Sequence, residues 1–484
     1  MLYQDYQEYF EPLKHHGIPP SHPLYDIAFY LLCASITQEQ KGTAEDLAPV
    51  LDVWGSLERP NIWVFHGPYV VPEFWERHFR NPAVKEHFSK YFETWIERAN
   101  NLTWSDYALD LRTYFTHVFP KLTELQFNTL LAILKSQTDS IKELKTILHR
   151  SEEAISRDKK HLYQIKAIHK SVWIHFPKLG LIQKTLILFH QFKKGYRALV
   201  SPSSPWIYSQ TSAYLLNRYS ILTFLVPDLP RADQLLDDLR EQFINTSDVN
   251  DALLFQPDLS EKRPLVTINY STYDPKNQKW KFDVGFPYSA TRLREPSDQA
   301  IYLRPRRQPV SDAPPTPKYS TNLMKTLDIV YQKGWQSIRQ LQNALGTSFH
   351  KARQILQTIT NHGLCYERFV STLGSTLSTL LVILHSTDEA TLSQLTSFFT
   401  YLPEQYTTWI KGDVRGMYSY IRVPHEYQQE TIQAIEALAN PYHLIVVPLI
   451  GARDIHWHFP WKRWDEENQT WQIKSEDFAL IDLL

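Results

Sequence analysis

Cysteine is nearly absent: Cys33 and Cys365 are the two in a chain of 484 residues. Two thiols so far apart exclude a disulfide framework and any Cys-rich zinc or iron–sulfur site. A reducing compartment suits such a chain, so the cytoplasm is the expected location. Glycine is scarce too, with 14 residues against 30 prolines. Phosphate-cradling loops need glycine for close backbone approach, so a Gly-rich nucleotide site is not expected. Long apolar runs are missing. Stretches such as Leu377–Leu384 are strand-length, far short of the ~20 residues that span a bilayer. Met1–Pro20 has no apolar h-region, so no secretory signal and no membrane partner are expected. Net charge is −1, so a whole-molecule basic field is absent and nucleic-acid binding would need local patches. Enzyme signatures are missing as well. There is no G-x-S-x-G, no H-E-x-x-H and no C-x-x-C. No catalytic residue, metal or cofactor is expected.

What is present is a folded, aromatic-rich chain that repeats itself. Hydrophobic residues make up 43% and aromatics 13%, and at roughly 150 residues per domain the length suggests about three domains. Ser140-Ile-Lys-Glu-Leu, running on to Ile168, aligns without a gap with Ser337-Ile-Arg-Gln-Leu, running on to Cys365, at an offset of 197 residues. Later in each copy, Tyr273-Asp-Pro-Lys-Asn-Gln-Lys-Trp280 matches Trp464-Asp-Glu-Glu-Asn-Gln-Thr-Trp471 at an offset of 191. Two matches in nearly one register indicate a duplicated unit.

Each copy opens with helices. Leu323, Leu327, Ile329 and Val330 precede a break at Gly334-Trp335. Ile338, Leu341 and Leu345 mark a short amphipathic helix, interrupted at Gly346. Thr347 or Ser348 is the N-cap of the next helix, whose apolar face is Ala352, Ile355, Leu356 and Ile359. Gly363 suits its left-handed end. Copy one carries Leu144 and Leu148, a turn at His149-Arg150-Ser151, then Ala154, Ile155 and Leu162. That order is a helix-turn-helix. The period then changes to strands. Leu377–His385, Tyr406–Lys411, Met417–Val423 and His443–Pro448 read as strands, with helices over Asp388–Phe399 and Tyr427–Ala439. This is βαββαβ order. Copy one gives strands at Lys184–Phe192, Trp206–Leu215, Ser220–Val226 and Asp251–Phe255, with a helix over Arg231–Phe243. The predicted layout is α+β: tandem winged helix-turn-helix and βαββαβ ferredoxin-like domains, with an α+β N-terminal domain. The boundaries are 1–120 (a degenerate ferredoxin-like copy), 121–176, 177–285, 286–317, 318–370 and 371–484. In the N-terminal part, strands are expected at Tyr25–Cys33 and Ile62–Phe65 and helices at Thr43–Leu51 and Val84–Ile96. Residues 286–317 hold seven prolines and five arginines and read as an extended linker.

This layout resembles the leucine-responsive (Lrp/AsnC) family of transcription regulators. The likeness rests on Ser337-Ile-Arg-Gln-Leu-Gln-Asn-Ala-Leu-Gly-Thr-Ser, on the helix to Ile359 and on Asn361-His-Gly-Leu364. It also rests on Phe176-Pro-Lys-Leu-Gly-Leu181, similar to the family's connection between wing and next domain. The resemblance implies a sequence-specific regulator that binds double-stranded DNA and answers to a small-molecule effector. It also implies pairing through the ferredoxin-like domains, here as an internal pseudo-dimer or a homo-oligomer. Copy one departs from the pattern. His149 replaces the turn glycine, Lys159 stands at an apolar position, and Glu152 and Glu153 open its second helix. The alternatives are a protein-interaction scaffold that has lost DNA and, since some proteins of this layout decarboxylate siroheme, an enzyme of that kind.

If copy two reads DNA, its second helix enters the major groove. The outward positions are His350, Lys351, Arg353, Gln354 and Gln357. Arginine can pair with guanine, and glutamine with adenine, through two hydrogen bonds. In copy one the candidates are Ser156, Arg157 and Lys160. Arg304, Arg306 and Arg307 in the linker could enter a minor groove as an arm. Residues 318–368 carry net +5 and residues 121–170 net +4, leaving about −10 on the remainder. Two basic modules on an acidic scaffold would steer DNA to one face. His456-Trp457-His458 and His15-His16 place imidazoles together but supply too few ligands for a metal site. The Asn277-Gln278 and Asn468-Gln469 pairs read as hairpin turns, with Asn in the left-handed position.

Overall fold

The computed structural model describes residues 10–19, 22, 24, 28, 90 and 92–99. From 121 on it describes 121–165, 167–190, 204–213, 219–245, 249–257, 265–285, 288–289, 295–303, 318–385, 388–411, 416–440, 443–449, 452–453 and 459–478. The molecule is mixed α+β. In the N-terminal part, Ala28 is helical, against the strand expected there, and the rest of Tyr25–Cys33 lies outside the described residues. Residues 92–97 are helical, as the pattern to Ile96 suggests, whereas the elements expected at 43–51 and 62–65 lie outside the described residues.

The first helical block is α1 (Glu124–Ser136), α2 (Ile141–Leu148) and α3 (Glu152–Gln164), followed by strand β1 (Ile168–Ile174). Thr123 and Gln126 form a capping box at the start of α1, and Ser151 caps α3 by accepting from the Ala154 amide. Strands β2 (Leu181–His190), β3 (Ile207–Ala213) and β4 (Tyr219–Pro227), helix α4 (Pro230–Ile244) and β5 (Val249–Pro257) come next. Short strands β6 (Leu265–Ile268), β7 (Tyr273–Asp274), β8 (Lys279–Trp280) and β9 (Ile301–Tyr302) follow.

The second half follows the same order with one further helix between its first two sheet strands, where the matching residues 191–203 of the first half lie outside the described residues. It has α5 (Thr321–Lys333), α6 (Ile338–Leu345), α7 (Phe349–Asn361) and β10 (Cys365–Ser371). Ser348, one of the two residues offered as cap, is the N-cap of α7, and Gly363 is left-handed at φ 56°. Then come β11 (Ser378–His385), α8 (Glu389–Phe399), β12 (Glu404–Lys411), β13 (Gly416–Val423), α9 (Gln428–Ala439) and β14 (His443–Leu449). The chain continues through β15 (Ala452–Arg453), β16 (Trp464–Asp465) and β17 (Thr470–Trp471).

Strand neighbours run β14-β11-β13-β12-β5-β2-β4-β3-β15. Within each half the order is therefore fourth, first, third, second. The halves join where Ile410 and Lys411 of β12 pair with Pro257 and Gln256 of β5. β14 lies at one end and β15, which follows it closely in the chain, at the other, so the sheet curls on itself. Alternation along the strands then serves two cores. Leu380, Val382 and Leu384 of β11 pack beneath α8 and α9. Leu381 and Ile383 point the other way, to Ile187, Ile221 and Phe255 of the first half. Phe255 meets Tyr418 with ring centroids 5.3 Å apart.

The strands after the two helical blocks pair with each other, β1 antiparallel to β10, from Ile168↔Ser371 to Ile174↔Cys365. The repeat offset maps Arg368 onto Ser171, and those two residues are partners in the ribbon. The ribbon's midpoint is therefore a local pseudo-twofold axis relating the two matched segments. The cores cross over as well. Leu323, Leu327, Ile355 and Ile359 of the second helical block share a core with Leu186, Leu222 and Leu236 of the first sheet unit.

The linker expectation needs correcting in part. Ile301 and Tyr302 pair with β6, and buried Ser297 donates its amide to Thr400 Oγ1 at 2.8 Å, so this stretch is docked. The hairpin expectation also changes. Gln278 (φ 54°) and Gln469 (φ 51°) take the left-handed positions. Each asparagine instead bonds the turn's aspartate, Asn277 Nδ2 to Asp274 at 2.8 Å and Asn468 Nδ2 to Asp465 at 2.9 Å. The aspartate already accepts the turn amides, and the asparagine fills its second oxygen, so the next residue must turn the chain.

Candidate nucleic-acid interface

Helix α7 is built from one apolar and one polar side. Ala352, Ile355 and Ile359 are buried, while His350, Lys351, Arg353, Gln354 and Gln357 are all exposed. The helix has no acid in its first turn, so its N-terminal amides and dipole present positive charge unopposed from within the helix. Its entry is fixed. Gly346 takes φ 61° between α6 and α7, Ser337 and Gln340 form a capping box on α6, and Ser348 Oγ accepts from the Lys351 amide at 3.2 Å. Glu466 lies close enough to Lys351 for its carboxyl to feel that charge, although its pKa is held down chiefly by hydrogen bonds from Thr321.

Helix α3 presents Ser156, Arg157 and Lys160 in the same way, all exposed. Its first turn differs, carrying Glu152 and Glu153, both exposed. Lys145 of α2 lies 2.9 Å from Glu152, an exposed pair of small energetic worth, so at least Glu153 still faces any approaching phosphate. Lys159 does not fill the apolar slot its alignment with Leu356 implies. Its Nζ donates to the Asp139 carbonyl at 2.7 Å instead. The buried polar residue that sequence reasoning missed is Asp158, aligned with Ile355. It is 4% exposed and pairs with Arg150 at 2.7 Å. Arg150 also donates to Thr129 Oγ1 at 3.0 Å. The signal in the sequence was Arg150, standing where copy two has Thr347.

One of the counted charges is not on this face. Arg368, part of the +5 on residues 318–368, lies on the same ribbon face as Trp173 and Tyr366. Its guanidinium carbon is 4.6 Å from the Trp173 ring centroid. Its Nε is shielded from solvent and makes no hydrogen bond. Trp173 stacks on Tyr366 with centroids 6.4 Å apart and 6° between planes, and meets Tyr406 of β12 at 6.3 Å. The hydroxyls of Tyr331 and Tyr208 are 3.5 Å apart nearby. Burial lowers the Arg368 pKa, and the surrounding tyrosines oppose that. Burial likewise raises that of Tyr406.

Arg304, Arg306, Arg307 and His456-Trp457-His458 lie outside the described residues. Among the described residues no group of three or more His, Cys, Asp or Glu side chains could hold a metal ion. None of their helices is long and apolar enough to cross a membrane.

No family model matches the chain. No curated protein matches it either. Among solved structures it is similar to the siroheme decarboxylase NirDL. With an iron-uroporphyrin III analogue bound, that structure gives a TM-score of 0.36 at 10% identity, over 68% of this chain and 92% of that one. Without the analogue the figures are 0.38 and 10%, over 71% and 98%. PH0061 is similar over 28% of this chain and 93% of its own, at 15% identity and a TM-score of 0.22. At these scores the likeness is remote.

Proposed function

We propose that the chain is a sequence-specific DNA-binding regulator, with α7 as the helix that reads bases. The observation that carries this reading is the exposed face of α7. Five side chains able to contact bases or phosphates line one side of a helix that has no acid in its first turn, and the opposite side is buried. In this reading 121–176 and 318–370 are winged helix-turn-helix units, and 177–285 and 371–484 are ferredoxin-like assembly domains. Lys351 neutralises a phosphate at the helix start, His350 can hydrogen-bond one, and Arg353, Gln354 and Gln357 reach base edges. Ser156, Arg157 and Lys160 of α3 add backbone contacts, weakened by Glu153. Arg304, Arg306 and Arg307 are the candidate minor-groove arm. The work is cytoplasmic and answers to a small-molecule effector. Any homo-oligomer uses outer faces, because the sheet faces meet within one chain.

Fluorescence anisotropy of a pooled random duplex at two salt concentrations tests this. Binding should weaken steeply as salt rises, the signature of phosphate neutralisation. After selection of a preferred site, Arg353→Ala should cost about 1–3 kcal/mol and relax specificity at one base position. Absence of binding at low salt would remove the reading and leave a protein-interaction scaffold.

A further inference from the structure

An arginine side chain turned inward without a partner needs a reason. Arg368 forms no ion pair or hydrogen bond with any described residue, and its Nε is closed to solvent. A buried N–H left in this state is costly, and folded proteins normally satisfy such groups. Nothing in the ribbon forces arginine here. Its repeat equivalent, directly across the ribbon on the pseudo-twofold axis, is Ser171. Two otherwise equivalent positions thus differ by one charge and a long side chain.

We propose that Arg368 and the aromatic side chains around it bind the carboxylate of a small planar organic acid. Trp173 covers one face of the guanidinium and holds it in place, leaving the donors in the guanidinium plane to meet a carboxylate with two parallel hydrogen bonds. The surroundings fit the rest of the ligand. Trp173, Tyr366 and Tyr406 offer flat apolar surface, and Tyr208 and Tyr331 bring hydroxyls. Charge selects the class. Among the described residues Arg368 is the cation amid the tyrosines, so a monoanion leaves the site neutral and a dianion leaves one excess negative charge. A carboxylate is therefore preferred over phosphate. This inference stands apart from the DNA-binding reading, and its test contains no DNA.

The test is a thermal-unfolding titration of the full chain at constant ionic strength. Sodium benzoate and inorganic phosphate are the probes, applied to wild type and to Arg368→Met. The wild-type midpoint should rise with benzoate in a saturable way and ignore phosphate. Arg368→Met should weaken the benzoate response at least tenfold. Without ligand it should melt no lower than wild type, since the change removes a buried Nε–H that makes no hydrogen bond. If methionine prevents folding, Arg368→Lys keeps the charge, loses the fork, and should show the same tenfold weakening. A flat wild-type response to benzoate, an unchanged response in either variant, or a marked fall in the unliganded midpoint of a folded Arg368→Met protein would overturn the proposal. The last result would make Arg368 a structural stacking partner of Trp173.

Discussion

His149 shows how a single residue records the divergence of the two copies. It occupies the turn between α2 and α3 at φ 51°, where copy two has Gly346 at φ 61°. Left-handed backbone costs a residue with a Cβ roughly 1–2 kcal/mol, and His149 is exposed, so burial does not offset it. His149→Gly should therefore stabilise the first helical block by about 0.5–1 kcal/mol once the glycine's own entropy is deducted. Slower amide exchange across residues 124–164 would register it. Asp158 is the opposite case, a substitution already compensated. Arg150 neutralises it at 2.7 Å, in a place where Ile355 fills copy two. Asp158→Ala leaves Arg150 without its charge and should cost roughly 3–5 kcal/mol. Asp158→Ile with Arg150→Thr, which copies the second unit, should recover most of that loss. A double variant no more stable than Asp158→Ala would show that the ion pair cannot be exchanged for packing.

At the scale of elements, two joints hold the helical blocks in place. The first is Asp139, in the turn between α1 and α2. Burial pushes its pKa up, but Lys170 of β1, Lys159 of α3 and a hydrogen bond from Tyr163 together outweigh that, and the net shift is downward. A carboxylate depressed in the folded state adds stability above its unfolded pKa, and the contribution is lost as pH falls through the folded value. The seam between α1–α3 and β1 should therefore loosen below about pH 4. Asp139→Asn should flatten that part of the acid response, and exchange of the β1 amides between pH 3 and 6 would show it. The second joint is the hairpin β16–β17. Trp471 Nε1 donates to the Leu179 carbonyl at 2.7 Å. Its ring meets Trp206, Phe459 and Trp464 edge-on. Gln469 Oε1 accepts from the Tyr319 amide at the start of α5. Trp471→Ala should cost roughly 3–5 kcal/mol and expose residues 459–478 to limited proteolysis.

Across the whole molecule, what could be read in advance was whatever repeats locally. The strands and helices of the second half followed from period, and the match between the two helical blocks followed from register. The resemblance allowed an internal pseudo-dimer, but which strands and faces of the halves meet did not follow, because a sequence pattern marks a buried face without saying what covers it. Arg368 was counted as surface charge for that reason: only the β1–β10 ribbon turns it inward, and that ribbon joins residues nearly two hundred positions apart. The halves are consequently interlocked. β1 pairs with β10, β5 and β6 with β12, and β3 with β15, and the second helical block completes the core of the first sheet unit. The chain should then behave as one cooperative body and not as two beads on a linker. Residues 1–303 and 318–484, co-expressed as separate polypeptides without the connecting stretch, should co-purify as a one-to-one complex of nearly the intact chain's size. Each fragment made alone should aggregate, since it leaves half of a shared core uncovered. Two soluble fragments that show no affinity for each other would mean that the crossed cores contribute little, and that each half folds on its own sheet.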